Sequence, residues 1–353
     1  MNKLRTAVVG PGRIVRAHLT AIRNNPNLGE LAAVVGRATS ADRTRQLAEK
    51  FGAKQASNDF DEILASPKVD AVVLTVPNHL HCAMAVKALR AGKHVLVEKP
   101  LANTVDEADE MLRAAEAAGR VLMVAQCRRF FPGALEAKRR IQALGRPLDI
   151  VHILGVDVAA VQAEWWRSTE LTGGLALGLN GPHVVDTILW LVGEVPVRIY
   201  AQSARLKPQN WQGEDQVTLV MTFADGSTAT GHLSFNMRPY TNDRWIVGPH
   251  GSLQLTHDRT LRQNGEVVVD GTLTPYIDGD ESFDAQYREF ASAIREGRMP
   301  LASAQEVRPV VEILSAARAS ARRNQPIEFQ RQRAARHQTT CAGAPAHTAS
   351  SDG

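Results

Sequence analysis

Short apolar runs alternate with stretches of helical period through the first third of the chain. Residues 6–9, 31–35, 71–76, 95–97 and 121–124 are almost continuously apolar and too short for buried helices. Between them, residues 83–91 and 104–118 repeat apolar side chains at three- and four-residue spacing, and they stop at Gly92 and Gly119. Thr104 followed by Glu107 has the form of a capping box. Continuous apolar strands separated by helices predict a parallel sheet covered on both faces. Right-handed crossovers then make that sheet doubly wound. Near residue 148 the period changes. Residues 148–158, 197–203, 216–223 and 228–235 read as longer strands, with Asp225-Gly226 as a hairpin turn between the last two. Shorter strands are expected at 253–256 and 266–268, and helices at 283–296 and 304–323 close the pattern. From residue 331 the chain is basic, then Ala/Thr/Ser/Gly-rich without apolar period, which predicts a disordered tail over 331–353.

The fold class is therefore α/β: a doubly wound parallel sheet over residues 1–125, then an α/β domain with a mostly antiparallel sheet over 126–330. A length of 353 residues suits two domains at roughly 150 residues each. The formal charge of +4 is mild and its basic residues are scattered, so nothing suggests nucleic-acid binding. Cys82, Cys127 and Cys341 are odd in number and widely spaced, which argues against a disulfide framework and a cysteine zinc site. The histidines show no ligand spacing, so no metal is expected. No apolar stretch approaches the ~18 residues of a membrane span, and the apolar run after Lys3 and Arg5 is too short for a signal peptide. A cytoplasmic location is the expectation that follows.

Gly10-Pro11-Gly12-Arg13-Ile14-Val15 follows the first strand and opens a helix. Two glycines let the backbone turn tightly and approach a pyrophosphate, while amides at the helix N-terminus face the anion. This is the phosphate loop of a Rossmann domain, although Val15 stands where Gly or Ala is usual and should hold helix and strand slightly farther apart. A carboxylate at the end of the second strand would accept the ribose hydroxyls of NAD. Here Gly36-Arg37-Ala38-Thr39-Ser40 occupies that place. A guanidinium with nearby hydroxyls suits a 2′-phosphate, so NADP is favoured over NAD. The alternative is that Arg37 is solvated, stacks on the adenine and leaves NAD accepted.

The stretch from Ala71 reads AVVLTVPNHLHCAMAVKALRAGKHVLVEKPLA. Its Thr75-Val76-Pro77-Asn78, His81, Ala91-Gly92-Lys93-His94-Val95 and Glu98-Lys99-Pro100 resemble the Gfo/Idh/MocA family of oxidoreductases. Arg128-Arg129-Phe130-Phe131-Pro132, Trp166-Arg167 with Gly173-Gly174, and Gly181-Pro182-His183-Val184-Val185-Asp186 are similar to further family elements. The resemblance covers about residues 3–330. It implies a nicotinamide-dependent dehydrogenase or reductase acting on a sugar, inositol or related polyol. It also implies a large open sheet whose face forms a homodimer or homotetramer. Gly10, Gly12, Arg13, Ile14, Thr75, Pro77, Asn78, His81, Glu98, Lys99, Trp166 and Arg167 would then contact the cofactor. Lys99, Gln126, Arg167, Asn180 and His183 would contact substrate.

Hydride transfer needs a group to exchange the hydroxyl proton and one to stabilise the alkoxide. Lys99, just after a strand at the ligand-binding edge, and His183, titrating near neutral pH, are the catalytic candidates. The family usually has Asp, sometimes Asn, one helical turn before that histidine, and here the position is Leu179. Asn180 either shares the face of His183 or caps the helix that Pro182 enters. Asp186 is expected to be a solvent-facing or dipole-pairing acid. Glu98 contacts the nicotinamide or forms a strand-end ion pair, and Cys127 is an inert thiol. The missing carboxylate keeps two other readings open. One is a lyase or glycosidase that retains its cofactor and works by transient oxidation; the other is a non-catalytic dinucleotide sensor.

Overall fold

The computed structural model describes residues 3–158, 163–273 and 279–329. The expected tail at 331–353, with Cys341, lies outside the described residues.

The first half lays down β1 (Leu4–Val9), α1 (Val15–Asn24), β2 (Gly29–Val35), α2 (Ala41–Phe51), β3 (Gln55–Ser57), α3 (Phe60–Ala65) and β4 (Ala71–Leu74). It continues through α4 (His81–Arg90), β5 (His94–Glu98), α5 (Val105–Ala118) and β6 (Leu122–Ala125). The six strands pair in the order β3-β2-β1-β4-β5-β6, all parallel. Every residue of β4 and β6 is buried, which is why these strands read as unbroken apolar runs rather than alternating ones. α5 starts at the expected capping box: Thr104 accepts from the Glu107 amide, and Glu107 accepts from the Thr104 amide. α4 gives way to Gly92 and α5 to Gly119, both at positive φ. The strand order reverses between β1 and β4, the place where an open sheet of this kind binds ligands beyond its C-terminal edge.

After α6 (Pro132–Arg140) the chain enters β7 (Asp149–Asp157), then α7 (Thr169–Thr172), α8 (Ala176–Leu179) and α9 (Gly181–Val192). It then forms β8 (Arg198–Ala204), β9 (Gln216–Thr222), β10 (Thr228–Ser234), β11 (Asn236–Gly248), β12 (Gly251–Thr256), β13 (Thr260–Gln263) and β14 (Glu266–Val269). α10 (Glu281–Glu296), α11 (Ala304–Arg323) and β15 (Ile327–Glu328) complete it. The nine strands order as β14-β13-β12-β11-β7-β10-β9-β8-β15, and only β7–β10 is parallel. Asp225 and Gly226 make the β9–β10 turn, with Gly226 at φ +88. The pattern along the chain did not disclose β11, the longest strand. Polar residues and Pro239 fill its first half, and its register with β7 breaks between Asn236 and Thr241.

The inner face of this sheet buries Ile150, Leu154, Leu219, Leu233 and Ile246 against α9 and α11. α10 returns to the first sheet: Phe283, Tyr287 and Phe290 join Val8, Val34 and Val73 in one core, and Tyr287 Oη sits 2.9 Å from Thr6 Oγ1. Val15 is fully buried in that core and is accommodated there. Among the described residues no single helix is long and apolar enough to cross a membrane.

Candidate active site

The loop after β1 is shaped by glycine. Gly10 has φ +101, and a Cβ there would lie 2.8 Å from the Thr75 carbonyl oxygen, so only glycine fits. Thr75, at the end of β4, pins this loop: its hydroxyl is 3.0 Å from the Val9 carbonyl and 2.6 Å from the Gly10 carbonyl. The threonine thus holds the cradle in shape instead of presenting a free hydroxyl to its occupant. α1 begins with no side-chain cap and no acidic residue in its first turn, leaving its leading amides for an anion. Gly12 and Arg13 are exposed and Ile14 is half-buried beside them. These features fit a dinucleotide pyrophosphate.

Beyond β2, Gly36 is packed so tightly that a Cβ would sit 2.0 Å from Thr44 Oγ1. The backbone then turns through Ser40, whose hydroxyl accepts from the Arg37 amide and donates to the Arg37 carbonyl, both at 3.0 Å. Arg37 and Thr39 are exposed there. Sequence reasoning missed Arg43, one turn into α2, which donates to the Gly12 carbonyl at 3.2 Å. Its helix spacing gave no hint, because only the fold brings α2 over the phosphate loop.

β5 delivers Glu98 and Lys99 to the same edge. Glu98 is buried and bonds His18 Nε2 of α1 at 2.7 Å; it also accepts from the Lys99 amide at 3.1 Å. Its strand-end partner is therefore a histidine of α1. His18 rests edge-on against Phe283, 5.3 Å between ring centres. His81 is fully buried, with its ring nitrogens 2.7 Å from the Pro100 carbonyl and 3.0 Å from the Val76 carbonyl. It braces the turn after β5 against the turn after β4 and is closed to direct cofactor contact. Asn78 is buried beside the half-buried Pro77, and its amide reaches the Thr172 carbonyl at 3.4 Å.

Lys99 Nζ donates to the carbonyl of Leu179 at 2.8 Å. The residue that replaces the family's carboxylate thus still touches the lysine, through its backbone, while its buried side chain offers no charge. Burial pushes the Lys99 ammonium below its ordinary value, with Glu98 opposing. Asn180 occupies the N-cap position of α9 but makes no side-chain cap bond, so its amide is not spent on the helix. His183 is half-buried, and its Nδ1 is buried with no partner among the described residues. Burial, then the charge of Lys99, hold His183 well below the usual histidine range, so it is neutral near pH 7. Asp186 corrects an expectation. It is buried and binds Arg129 through both oxygens, at 2.8 and 2.7 Å, because α9 is apolar on all sides and covered by the sheet.

Beneath His183 lies a buried polar network that the sequence did not reveal. Arg244 of β11 donates to Asp258 and, at 3.2 Å, to His152 Nδ1 of β7. Asp258 also receives Arg128 Nη1 and Asn242 Nδ2, each at 2.6 Å. Burial alone would raise the Asp258 carboxyl, but Arg244 and Arg128 bring it to about 2. These residues meet because the β11–β7 register sets Arg244 opposite His152, with both side chains inward.

Gln126 is buried just after β6, and both polar atoms of its amide lack partners among the described residues. Cys127 follows it, its thiol pushed up to about 12 by burial and hence inert near neutral pH. Trp166 is half-buried, 6.2 Å edge-on from Trp165, while Arg167 is exposed and pairs with Glu164 at 3.1 Å.

A doubly wound sheet with a glycine-shaped anion loop, whose ligand edge carries Lys99 after β5 and faces the neutral His183 of α9, defines a dinucleotide-dependent oxidoreductase. The comparisons place it further. The model of the oxidoreductase family's NAD-binding Rossmann fold matches residues 4–126, and that of the GFO/IDH/MocA C-terminal domain matches residues 134–254. The chain belongs to the Gfo/Idh/MocA family and is an oxidoreductase. It is 27% identical over 320 residues to 4-carboxy-2-hydroxymuconate-6-semialdehyde dehydrogenase of Sphingobium, covering 88% of this chain and 96% of that protein. It is 26% identical over 349 residues to scyllo-inositol 2-dehydrogenase (NAD(+)) of Bacillus subtilis, covering 94% and 98%. Among solved structures it superposes on levoglucosan dehydrogenase in complex with NADH and L-sorbose with a TM-score of 0.85 and 25% identity, over 93% of this chain and 99% of that one.

Proposed function

We propose that this protein is an NADP-preferring dehydrogenase or reductase of a sugar, inositol or related polyol, working in the cytoplasm as a homo-oligomer. The observation that carries the reading is the pairing of Lys99, whose ammonium has only a carbonyl partner among the described residues, with His183, whose buried Nδ1 has none there. Both are left wanting a hydroxylated ligand. The scyllo-inositol and levoglucosan dehydrogenases among its relatives support the substrate class.

The Gly10–Gly12 loop and the α1 N-terminus would hold the nicotinamide cofactor, which would supply the hydride acceptor or donor. In the oxidative direction neutral His183 takes the hydroxyl proton, and the Lys99 ammonium stabilises the alkoxide as it forms. Glu98 sustains the charge of Lys99, and Asn180 and Gln126 have amides available for substrate hydroxyls. Trp166 and Arg167 contact the cofactor, and Arg167 the substrate as well, as the family motif implies. The outer face of the nine-stranded sheet exposes Val220, Trp245 and Val247 and is the surface for assembly.

Arg37, with Ser40 fixed beside it and Arg43 over the loop, supports a 2′-phosphate. Titration by nicotinamide fluorescence should show NADPH binding tighter than NADH. Arg37→Ala should weaken NADPH by about tenfold, the worth of one charge-assisted contact, and spare NADH. Equal weakening of both would remove the NADP assignment. A second outcome concerns pH. Activity should fall at alkaline pH as Lys99 loses its proton. Glu98→Gln removes the carboxylate that opposes this loss, so the Lys99 pKa drops further and the alkaline limb moves to lower pH. An unmoved limb would show that Lys99 does not set it.

A further inference from the structure

The segment from Thr169 to Leu179 carries α7 and α8 and leads straight into the site, yet it lies in neither sheet. Side chains from other elements take up its backbone instead. Asn103 Nδ2 donates to the Leu171 carbonyl at 3.0 Å, and Asn78 Nδ2 reaches the Thr172 carbonyl. Glu214, just before β9, accepts from the Leu177 amide at 3.0 Å. Arg318 of α11 ties two of these pieces together. Its Nη1 donates to the Gly173 carbonyl at 2.8 Å and its Nη2 to the Asn103 carbonyl at 3.1 Å. Both of its hydrogen bonds among the described residues thus go to main-chain carbonyls, although burial works against its charge. A planar guanidinium fork fixes the spacing of two acceptors, here carbonyls 70 residues apart in the chain. Asn103 lies four residues after Lys99, and Gly173 six before Leu179. α8 folds back on α7 so closely that a Cβ on Gly178 would lie 2.1 Å from the Thr172 carbonyl oxygen. Pro100, beside Lys99, and Gly178, beside Leu179, line one small cavity together with Arg318. The guanidinium therefore faces the neighbours of both groups that meet in the bond from Lys99 Nζ to the Leu179 carbonyl.

We propose that Arg318 is a positioning residue for the reaction: it clamps the turn after Lys99 and Pro100 to the turn at Gly173, and so sets Lys99 against the segment that carries Leu179 and His183. The proposal rests on the catalytic reading of Lys99 and His183 above. Arg318 acts through two carbonyls and makes no hydrogen bond to either catalytic group among the described residues. Its effect is geometric. Proton exchange and alkoxide stabilisation both need Lys99 and His183 at fixed places around one oxygen, and a small displacement of either is costly. Lysine in this place keeps the charge but lacks the rigid fork, so it does not fix the spacing of the two carbonyls.

The test compares the cofactor-loaded wild type with Arg318→Lys and Arg318→Ala. Brief labelling with acetic anhydride at mildly alkaline pH, read by peptide mass spectrometry, gives the rate at each lysine. Releasing the clamp draws the Leu179 carbonyl away from Nζ. The amine loses the acceptor that favours its charged, unreactive form, and it opens to the reagent. Lys99 should therefore label about tenfold faster in Arg318→Lys, the worth of one hydrogen bond to a charged group, and faster still in Arg318→Ala. Lys93 and Lys138 also donate to main-chain carbonyls, on other elements, and should keep their wild-type rates. Turnover of scyllo-inositol and levoglucosan should lose roughly 10²-fold in kcat, the cost of misplacing reacting groups by about 1 Å, with a smaller change in KM. Methylguanidinium added to Arg318→Ala should slow Lys99 labelling again. Arg318→Lys carries the test even where Arg318→Ala does not fold. Faster labelling of all three lysines would reduce Arg318 to a general structural role and overturn the proposal, and so would an unmoved Lys99. Selective labelling of Lys99 with kcat unmoved would support the clamp and overturn the catalytic reading of Lys99.

Discussion

Lys99→Gln should lower kcat by roughly 10²–10⁴-fold, the combined scale of losing an alkoxide-stabilising cation and disturbing the proton acceptor beside it. Cofactor affinity should change little, because the pyrophosphate cradle is built from Gly10, Gly12 and the start of α1, on other segments. The residual activity carries a second signature. Lys99 is the largest charge effect depressing His183. Removing a cation favours the imidazolium, so the His183 pKa rises and the acidic limb of the oxidative pH profile moves to higher pH. A stopped-flow measurement of the hydride step across pH, together with cofactor titration, reads both effects. Full activity in Lys99→Gln would remove the lysine from the chemistry. Reduced activity with an unmoved acidic limb would detach it from His183.

Asp258→Asn should destabilise the fold by about 3–5 kcal/mol, the cost of leaving a buried charge without its partner. Arg244 is fully buried, and Asp258 is the only carboxylate paired with it among the described residues. Asparagine suits this comparison because Asp258 has φ +65, a conformation that Asn tolerates, so the backbone is spared and the charge alone is lost. Urea unfolding of the two proteins measures the difference. The direction with pH is set by the depressed carboxyl. Its contribution is complete above the unfolded value of 3.8 and is lost as pH falls toward about 2. The gap between wild type and Asp258→Asn should therefore narrow on acidification below pH 3.8. A gap under about 1 kcal/mol at neutral pH would mean that water or a neighbouring group compensates Arg244.

The sequence by itself determined the doubly wound half. Buried parallel strands are apolar throughout, so β4, β5 and β6 stand out as runs, and local chemistry marks the ends of α4 and α5 through Gly92, Gly119 and the Thr104–Glu107 box. It also placed Lys99 and His183 as candidates, since short motifs around each are contiguous in the chain. What it could not determine depends on pairing between distant segments. β11 lacks a clear alternation, and only its register with β7 turns Arg244 and His152 inward onto Asp258. Asp186 looked like a surface acid because a helix shows its polar residue without showing what covers it, and Arg129 from a remote turn covers this one. His81 and Thr75 were read as ligand contacts from their motif, whereas the fold spends both on backbone carbonyls that shape the loops. At Leu179 the sequence shows only a missing carboxylate. The tertiary structure decided that its backbone carbonyl still holds Lys99, because a contact between residues eighty positions apart is not encoded in chain order.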